Sequence, residues 1–508
     1  MQDSADASAR LIEGLQNPAA YSHPVDDVRV TETHISWVFL TGKFAYKVKK
    51  PVTLGFLDFS TIARRKKFCD EELRLNSRYS PDLYLDVLPI TGSHDQPHVG
   101  GKGDAIEYAV KMRQFPDDAL LSRQLRANTV TPEHIDSLAR TVAEFHSRAE
   151  IATPESPWGT HDAVWAPVAE NFRQLELANI DAPEVARLHR WSEAEFHRLR
   201  EVFDQRKRDG FVRECHGDLH ARNILLLDGE LRLFDCVEFN ENFRWVDVLS
   251  DLAFACMDFA DFGRSDFAHR LLDAYLQLTG DYEGLAVWRY YFVYRALVRA
   301  KVAAIRSTQA ETPDQSTAAI GELQKYLELA ERAAQSERPR LIITHGPSGS
   351  GKSTLTQPLL EQIGAVRVRS DVERRRLTAD DSAEARYSAE ERRRVYARLA
   401  ELSAAILRAG MTVIVDATFL DQADRHRFRD LASRLDAPFS ILDFQTPVDV
   451  LRERIANRRN DVSEADRQVL DAQLASADPL DDDESASAIA IDTTAADPLA
   501  RVVASFHD

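Results

Sequence analysis

The chain has 508 residues, 44% of them hydrophobic and 29% charged, which suits two or three domains with ordinary buried cores and excludes wholesale disorder. With 64 Lys+Arg against 82 Asp+Glu the net charge is −18, which argues against a nucleic-acid coat or a membrane-surface protein and leaves room only for a local basic cleft. Four scattered cysteines, Cys69, Cys215, Cys236 and Cys256, form neither a disulfide framework nor a CxxC zinc pair and read as reduced thiols of a cytoplasmic protein.

The opening MQDSADASARLIEGL is acidic and polar, so it predicts a helix over 6–15 and not a signal peptide. Short β-rich runs follow at 28–32, 37–40 and 44–48, the last two joined by a tight turn at Thr41-Gly42-Lys43. A helix is expected over 60–77, strands over 83–90 and 106–115, and helices over 117–210 with Pro-rich loops near 153–167. Short strands return at 211–240, and 245–335 is helical apart from the polar segment 307–318. The most apolar stretch, 288–305, carries Arg289, Arg295, Arg299 and Lys301, too many charges for a spanning helix.

Segment 336–340 reads as a boundary between domains 1–335 and 336–508. Beyond it, strands at 341–344, 366–368, 412–415, 439–442 and 488–491 alternate with helices, the pattern of a parallel α/β sheet. Of 23 basic residues in 340–508 only Lys352 is a lysine. Arginine is the better fork for phosphate and carboxylate, and a GC-rich genome produces the same bias.

Gly346-Pro347-Ser348-Gly349-Ser350-Gly351-Lys352-Ser353 fits GxxxxGK[ST] in full, between an apolar strand and a helix that continues through Thr354. Backbone N–H groups of such a loop cradle phosphates, Lys352 would reach the β/γ-phosphates of ATP, and the Ser353 hydroxyl would hold Mg²⁺. Asp371, in Arg369-Ser370-Asp371 at the end of the second strand, is placed to accept a hydroxyl proton, or else to cap the helix 372–377. Asp416 ends the third strand and could order the Mg²⁺ shell. Arg452, Arg454, Arg458 and Arg459 could form a lid over the transferring group, or a solvated helix face. Over about 340–500 the chain resembles the P-loop small kinases, a group that includes gluconate kinase-like, polynucleotide kinase-like and zeta-toxin-like enzymes. The resemblance implies ATP-dependent phosphorylation of a hydroxyl and supplies no substrate.

Upstream, His216-Gly217-Asp218-Leu219-His220-Ala221-Arg222-Asn223 sets an Asp five residues before an Asn, the spacing of a kinase catalytic loop. Asp228-Gly229 between two apolar runs predicts a hairpin that folds Asp235 back beside Asn223, two oxygen ligands suited to Mg²⁺, with Asp218 as proton acceptor. His216 and His220 read as supports of the loop, Asp247 and Asp251 as caps or anchors. Lys47 and Lys49 share a strand face, so either could bind phosphate, fixed by Glu72 or Glu71 on the next helix. Residues 25–335 resemble the aminoglycoside phosphotransferase-like branch of the protein-kinase-like fold, which phosphorylates small-molecule hydroxyls. One departure stands out: no GxGxxG precedes Lys47, and Thr33-His34-Ile35-Ser36 has no glycine.

The expected fold is therefore a two-domain chain: an N-terminal α+β protein-kinase-like domain with a β-rich and a helical lobe, then an α/β P-loop domain with a parallel sheet. The whole arrangement resembles bacterial fusions of these two kinds of domain. The expectation is a bifunctional kinase using ATP and Mg²⁺ on small molecules that offer a hydroxyl, with no role for nucleic acid or membrane. An ATP-hydrolysing switch with a ligand-sensing kinase-like domain and a polynucleotide 5′-hydroxyl kinase, with Arg369 and Arg374 to Arg376 gripping phosphates, are the alternatives.

Overall fold

The computed structural model describes residues 2–54, 57–178, 180, 182–335, 338–377, 389–457, 467–494 and 498–507. They group into two compact units, Met1–Ser137 with Glu144–Ala163 and Lys207–Ala255, and Leu138–Ala143 with Val164–Arg206 and Cys256–Asp508. This grouping places residues 256–335 with the C-terminal sheet, so the compositional boundary at 336–340 and the division by contact fall at different points.

The first unit opens with α1 (Gln2–Leu15) and holds a six-stranded antiparallel sheet. Its strands are β1 (Arg29–Glu32), β2 (Ser36–Leu40), β3 (Phe44–Lys49), β4 (Tyr84–Gly92), β5 (Pro97–Val99) and β6 (Glu107–Arg113), in the order β1-β2-β3-β6-β4-β5. The short β5 lies between the two strands expected over 83–90 and 106–115. Helix α2 (Ile62–Asn76) starts at Thr61, whose hydroxyl accepts the Arg64 N–H. Alternation along β3 sends Tyr46 and Val48 into a core with Leu11, Leu15 and Phe39. Ala45 joins Cys69, Val110 and Met112 on the other side. Lys47 and Lys49 share the Ala45 face, and they are buried there.

The predicted hairpin forms as β7 (Ile224–Leu227) and β8 (Glu230–Leu233), with Ile224 opposite Leu233. Its two turn residues, Asp228 and Gly229, have φ of 53° and 80°, both left-handed as a type I′ turn requires. The Pro-rich reading near 153–167 stops short: a helix spans His161–Leu177 with Pro167 inside it. Burial of Val168, Phe172 and Leu175 on that helix offsets the hydrogen bond the proline removes.

In the second unit, α3 (Ser265–Thr279), α4 (Leu285–Thr308) and α5 (Pro313–Ala334) precede a five-stranded sheet. The sheet elements are β9 (Leu341–His345), α6 (Lys352–Ile363), β10 (Val366–Arg369), α7 (Ser370–Leu377), α8 (Ala389–Arg408), β11 (Val413–Asp416), α9 (Gln422–Arg434), β12 (Phe439–Gln445), α10 (Val448–Ala456), α11 (Arg467–Ser476), β13 (Ala488–Asp492) and α12 (Pro498–His507). The strand order is β10-β11-β9-β12-β13 and every pairing is parallel. Ile342, Ile414, Leu442 and Ile491 from four strands pack against Leu355 and Leu359 of α6. The chain leaves central β9 for one side and returns for the other, a topology that opens a ligand crevice at the carboxyl ends of the strands.

Candidate active sites

In the first unit the geometry is built from buried charge. Lys47 Nζ donates to Glu72 Oε1 at 2.8 Å and to Asp235 Oδ1 at 2.6 Å. Lys49 Nζ donates to the other Glu72 oxygen at 2.7 Å and to Glu238. The sequence left two lysines and two glutamates open. The structure brings both lysines to Glu72, while Glu71 turns to Arg74 and Arg244. Burial works against ionisation of Glu72, but Lys47 and Lys49 outweigh it and hold its pKa at about 2. Burial likewise opposes the Lys47 charge, and Asp235, Glu72 and Glu238 together keep its pKa well above the ordinary value. Burial raises the pKa of Glu238 against the pull of Lys49.

The loop that follows is held from behind. Asp251 accepts the His216 N–H at 3.0 Å, the Gly217 N–H at 2.8 Å and a bond with His146 Nε2 at 3.2 Å. Gly217 has φ of 84°, and a Cβ there would stand 2.6 Å from the Phe243 carbonyl, so only glycine fits. His216 Nε2 meets the Phe234 carbonyl at 2.9 Å, and burial lowers the His216 pKa. Asp247 caps a helix start by accepting the Leu249 N–H. Asn223 Nδ2 donates to Asp218 Oδ2 at 2.9 Å, and His220 Nε2 lies 3.4 Å from the same oxygen.

The hairpin carries Asp235 just past Asn223, whose carbonyl accepts the Phe234 N–H at 3.1 Å. Asp235 itself has φ of 62°, left-handed for a residue with a side chain, and its N–H donates to the Tyr84 hydroxyl at 3.0 Å. Between β1 and β2, where a glycine-rich loop is missing, Thr33 closes the turn: its hydroxyl accepts the Ser36 N–H at 2.9 Å.

In the second unit the phosphate loop runs from β9 to α6. Lys352 Nζ is turned onto the loop itself, donating to the carbonyls of Gly346 at 2.9 Å and Pro347 at 2.7 Å. Ser353 Oγ donates to Asp416 Oδ2 at 2.6 Å. Arg369 Nε stands 3.5 Å from the same carboxylate oxygen. The Ser348 N–H, one of the loop donors, is taken by Gln473 Oε1 of α11 at 2.9 Å. Arg454 leans over the loop, with Nη1 3.4 Å from the Gly349 carbonyl and 3.2 Å from Thr493 Oγ1. Thr354 is exposed on the first turn of α6.

Asp371 sits inside the first turn of α7 rather than ahead of it as a cap, and accepts from Arg374 Nη1 at 2.6 Å. Arg452 pairs with Asp471, while Arg458 and Arg459 lie outside the described residues. Sequence reasoning missed Glu238 and Gln473. Glu238 follows Asp235 by three residues and carried a weak signal in that spacing; Gln473 carried none.

Both donor sets fit ATP with Mg²⁺. Asn223 and Asp235, and Ser353 and Asp416, offer only hard oxygens. Each site also has a buried lysine, Lys47 and Lys352, of the charge that suits a phosphate.

A phosphotransferase enzyme family model matches residues 118–288, and an AAA domain model matches residues 341–480. These matches define the class: the chain is an ATP-dependent phosphotransferase, a phosphotransferase-family region followed by a P-loop kinase-like one. Uncharacterized protein Rv2004c of Mycobacterium tuberculosis is 32% identical over 473 residues, spanning 89% of this chain and 91% of its own. Uncharacterized protein Mb2027c of Mycobacterium bovis matches to the same extent. The chain belongs to the family of these mycobacterial proteins.

Among solved structures, a choline kinase from Cryptosporidium parvum is 12% identical with a TM-score of 0.39, covering 61% of this chain and 91% of its own. A sugar kinase from Janibacter is 22% identical with a TM-score of 0.27, covering 33% and 93%. At these TM-scores neither likeness carries weight. Among the described residues no helix is long and apolar enough to cross a membrane.

Proposed function

We propose that the chain is a bifunctional kinase, in which residues 1–335 and 336–508 each transfer the γ-phosphate of ATP to a small-molecule hydroxyl. The observation that carries this reading is the presence of two separate constellations, each with a lysine, an acid base and a pair of oxygen ligands. In the first, Asp218 takes the proton of the acceptor hydroxyl. Its Oδ2 already accepts from Asn223, which holds the carboxylate in place. Lys47, fixed by Glu72, binds phosphate, and Asn223 and Asp235 hold the metal.

In the second, the Gly346–Thr354 loop and Lys352 bind the phosphates and Ser353 and Asp416 hold the metal. Asp371, whose carboxylate is oriented by Arg374, is the proton acceptor. Arg454, and by sequence Arg458, neutralise the transferring group. Bound Mg²⁺ would supply charge neutralisation at the phosphates, and the residues supply position.

Four buried free thiols suit a reducing cytoplasm. The acidic balance, a net charge of −18, weighs against a polynucleotide substrate. The test is ATP consumption with phosphorus NMR of products, on pooled sugars, nucleosides, amino alcohols and aminoglycosides. Wild type, Asp218→Asn and Lys352→Ala are compared. A product lost in one variant assigns that substrate class to one site. Free phosphate alone, unchanged by any pool, would replace this reading with an ATP-driven switch.

A further inference from the structure

We propose that Asp273, on helix α3, is a positioning residue for the phosphate loop, acting through Arg367 on the first turn of α6. The inference rests on the reading of residues 346–353 as a nucleotide site.

Strand β10 is an edge of the parallel sheet, and an edge strand leaves backbone N–H groups without a ladder partner. Here a helix covers that edge. Asp273, 2% exposed, accepts the Arg367 N–H at Oδ1 at 2.8 Å. Its other oxygen accepts from Gln277 and lies 3.7 Å from the Arg367 guanidinium. Arg367 is itself 3% exposed, and its fork reaches into α6. Nη1 donates to the Ser353 carbonyl at 3.1 Å and to Thr356 Oγ1 at 3.0 Å, and Nη2 donates to Gln357. Ser353 is the residue whose hydroxyl meets Asp416. One buried guanidinium therefore ties the edge strand, the covering helix and the residue proposed to hold the metal.

Charge makes the arrangement directional. Arg367 and Asp273 are both buried, and the second carboxylate oxygen lies 3.7 Å from the guanidinium. A buried guanidinium deprived of its carboxylate is costly enough to move. Arg367 cannot move without disturbing the Ser353 carbonyl. The neighbouring contacts keep α3 against α6 independently of Asp273. Arg270 Nη1 donates to Glu361 Oε1 at 2.7 Å, and His269 Nδ1 meets the Glu361 carbonyl at 2.8 Å. Helix α3 is thus a working layer of the phosphate-binding unit, although it lies more than sixty residues upstream of β9 in the chain.

The test is titration of full-length protein with a fluorescent ATP analogue, once with Mg²⁺ and once with EDTA, counting the component lost in Lys352→Ala. In Asp273→Asn the affinity of that component should fall about tenfold or more with Mg²⁺ and less than about threefold in EDTA. Mere loosening of the fold would move both alike. Arg367→Lys keeps the charge but is too short to reach Ser353. It should show the same selective loss and serves if Asp273→Asn fails to fold. The double variant should be no worse than the poorer single one.

An Mg²⁺-to-EDTA ratio equal to wild type in both variants, or losses that multiply in the double, would overturn the relay. Absence of any Lys352-dependent component in wild type would instead overturn the nucleotide-site reading, and the relay with it.

Discussion

The two candidate sites solve one chemical problem with opposite materials. In the first unit the phosphate lysine is locked among carboxylates: Lys47 and Lys49 share Glu72, and Asp235 and Glu238 complete a buried lattice of charge. In the second unit Lys352 rests on two carbonyls of its own loop, and a glutamine occupies one of the loop amides. The first site is organised before any ligand arrives, at the expense of five buried or half-buried charges. In the second, the lysine rests on loop carbonyls that a phosphate can displace. Each carries one left-handed non-glycine residue near its acid, Asp235 at φ 62° and Phe419 at φ 48°, three residues past Asp416. The lysine is therefore held by side-chain carboxylates in one case and by backbone carbonyls in the other.

The largest effect that would sharpen this contrast is on transfer. Asp218→Asn should lower the first site's phosphorylation rate by about 10²–10⁴ and leave the second site's rate within about twofold, read from the product of each site. The next concerns stability. Glu72→Gln removes the carboxylate that two buried ammonium groups share, leaving Lys47 with Asp235 and Lys49 with Glu238, and should destabilise the first unit by up to about 3–5 kcal/mol. Lys352→Met should change the second unit by no more than about 1 kcal/mol. Urea unfolding of both variants checks the pair, and equal losses would break the comparison.

A smaller effect concerns pH. Burial lowers the His216 pKa, so the unfolded chain binds a proton near the ordinary value of 6.5 that the native chain refuses. Stability from this group is full above that value and declines as pH falls from it toward the depressed native pKa. His216→Asn should flatten that slope in denaturant midpoints measured across the window. The Glu72 contribution behaves differently. It is present above the ordinary carboxylate value of 4.5 and lost as pH falls through about 2, so it leaves the slope between 6.5 and 4.5 to other groups. The smallest effect belongs to Gln473→Ala. Freeing the Ser348 N–H removes a competitor worth about 1 kcal/mol and should tighten nucleotide binding at the second site up to about fivefold in calorimetry.

The contrast also explains what the sequence disclosed. The phosphate loop is contiguous, so eight residues and their flanking strand and helix displayed it whole. The Asp218-to-Asn223 spacing and the Asp228-Gly229 hairpin were legible for the same reason, being local spacing and turn chemistry. The choice between Glu71 and Glu72 was not. Neighbours on one helix differ by about 100° in direction, and only packing of α2 against the sheet decides which one faces β3. Glu238 went unread and Asp251 stayed open between cap and anchor, because their roles are set by lysines and backbone groups distant in the chain. The proline at 167 misled because local propensity yields to an apolar helix face.

Counting nucleotide sites tests the central claim most directly. Equilibrium dialysis of full-length protein against a non-hydrolysable ATP analogue with Mg²⁺ should give two sites per chain for wild type. Lys352→Ala should retain one site and Lys47→Ala the other, with none left in the double variant. A single site in wild type, abolished by either substitution alone, would contradict two separate phosphoryl-transfer centres.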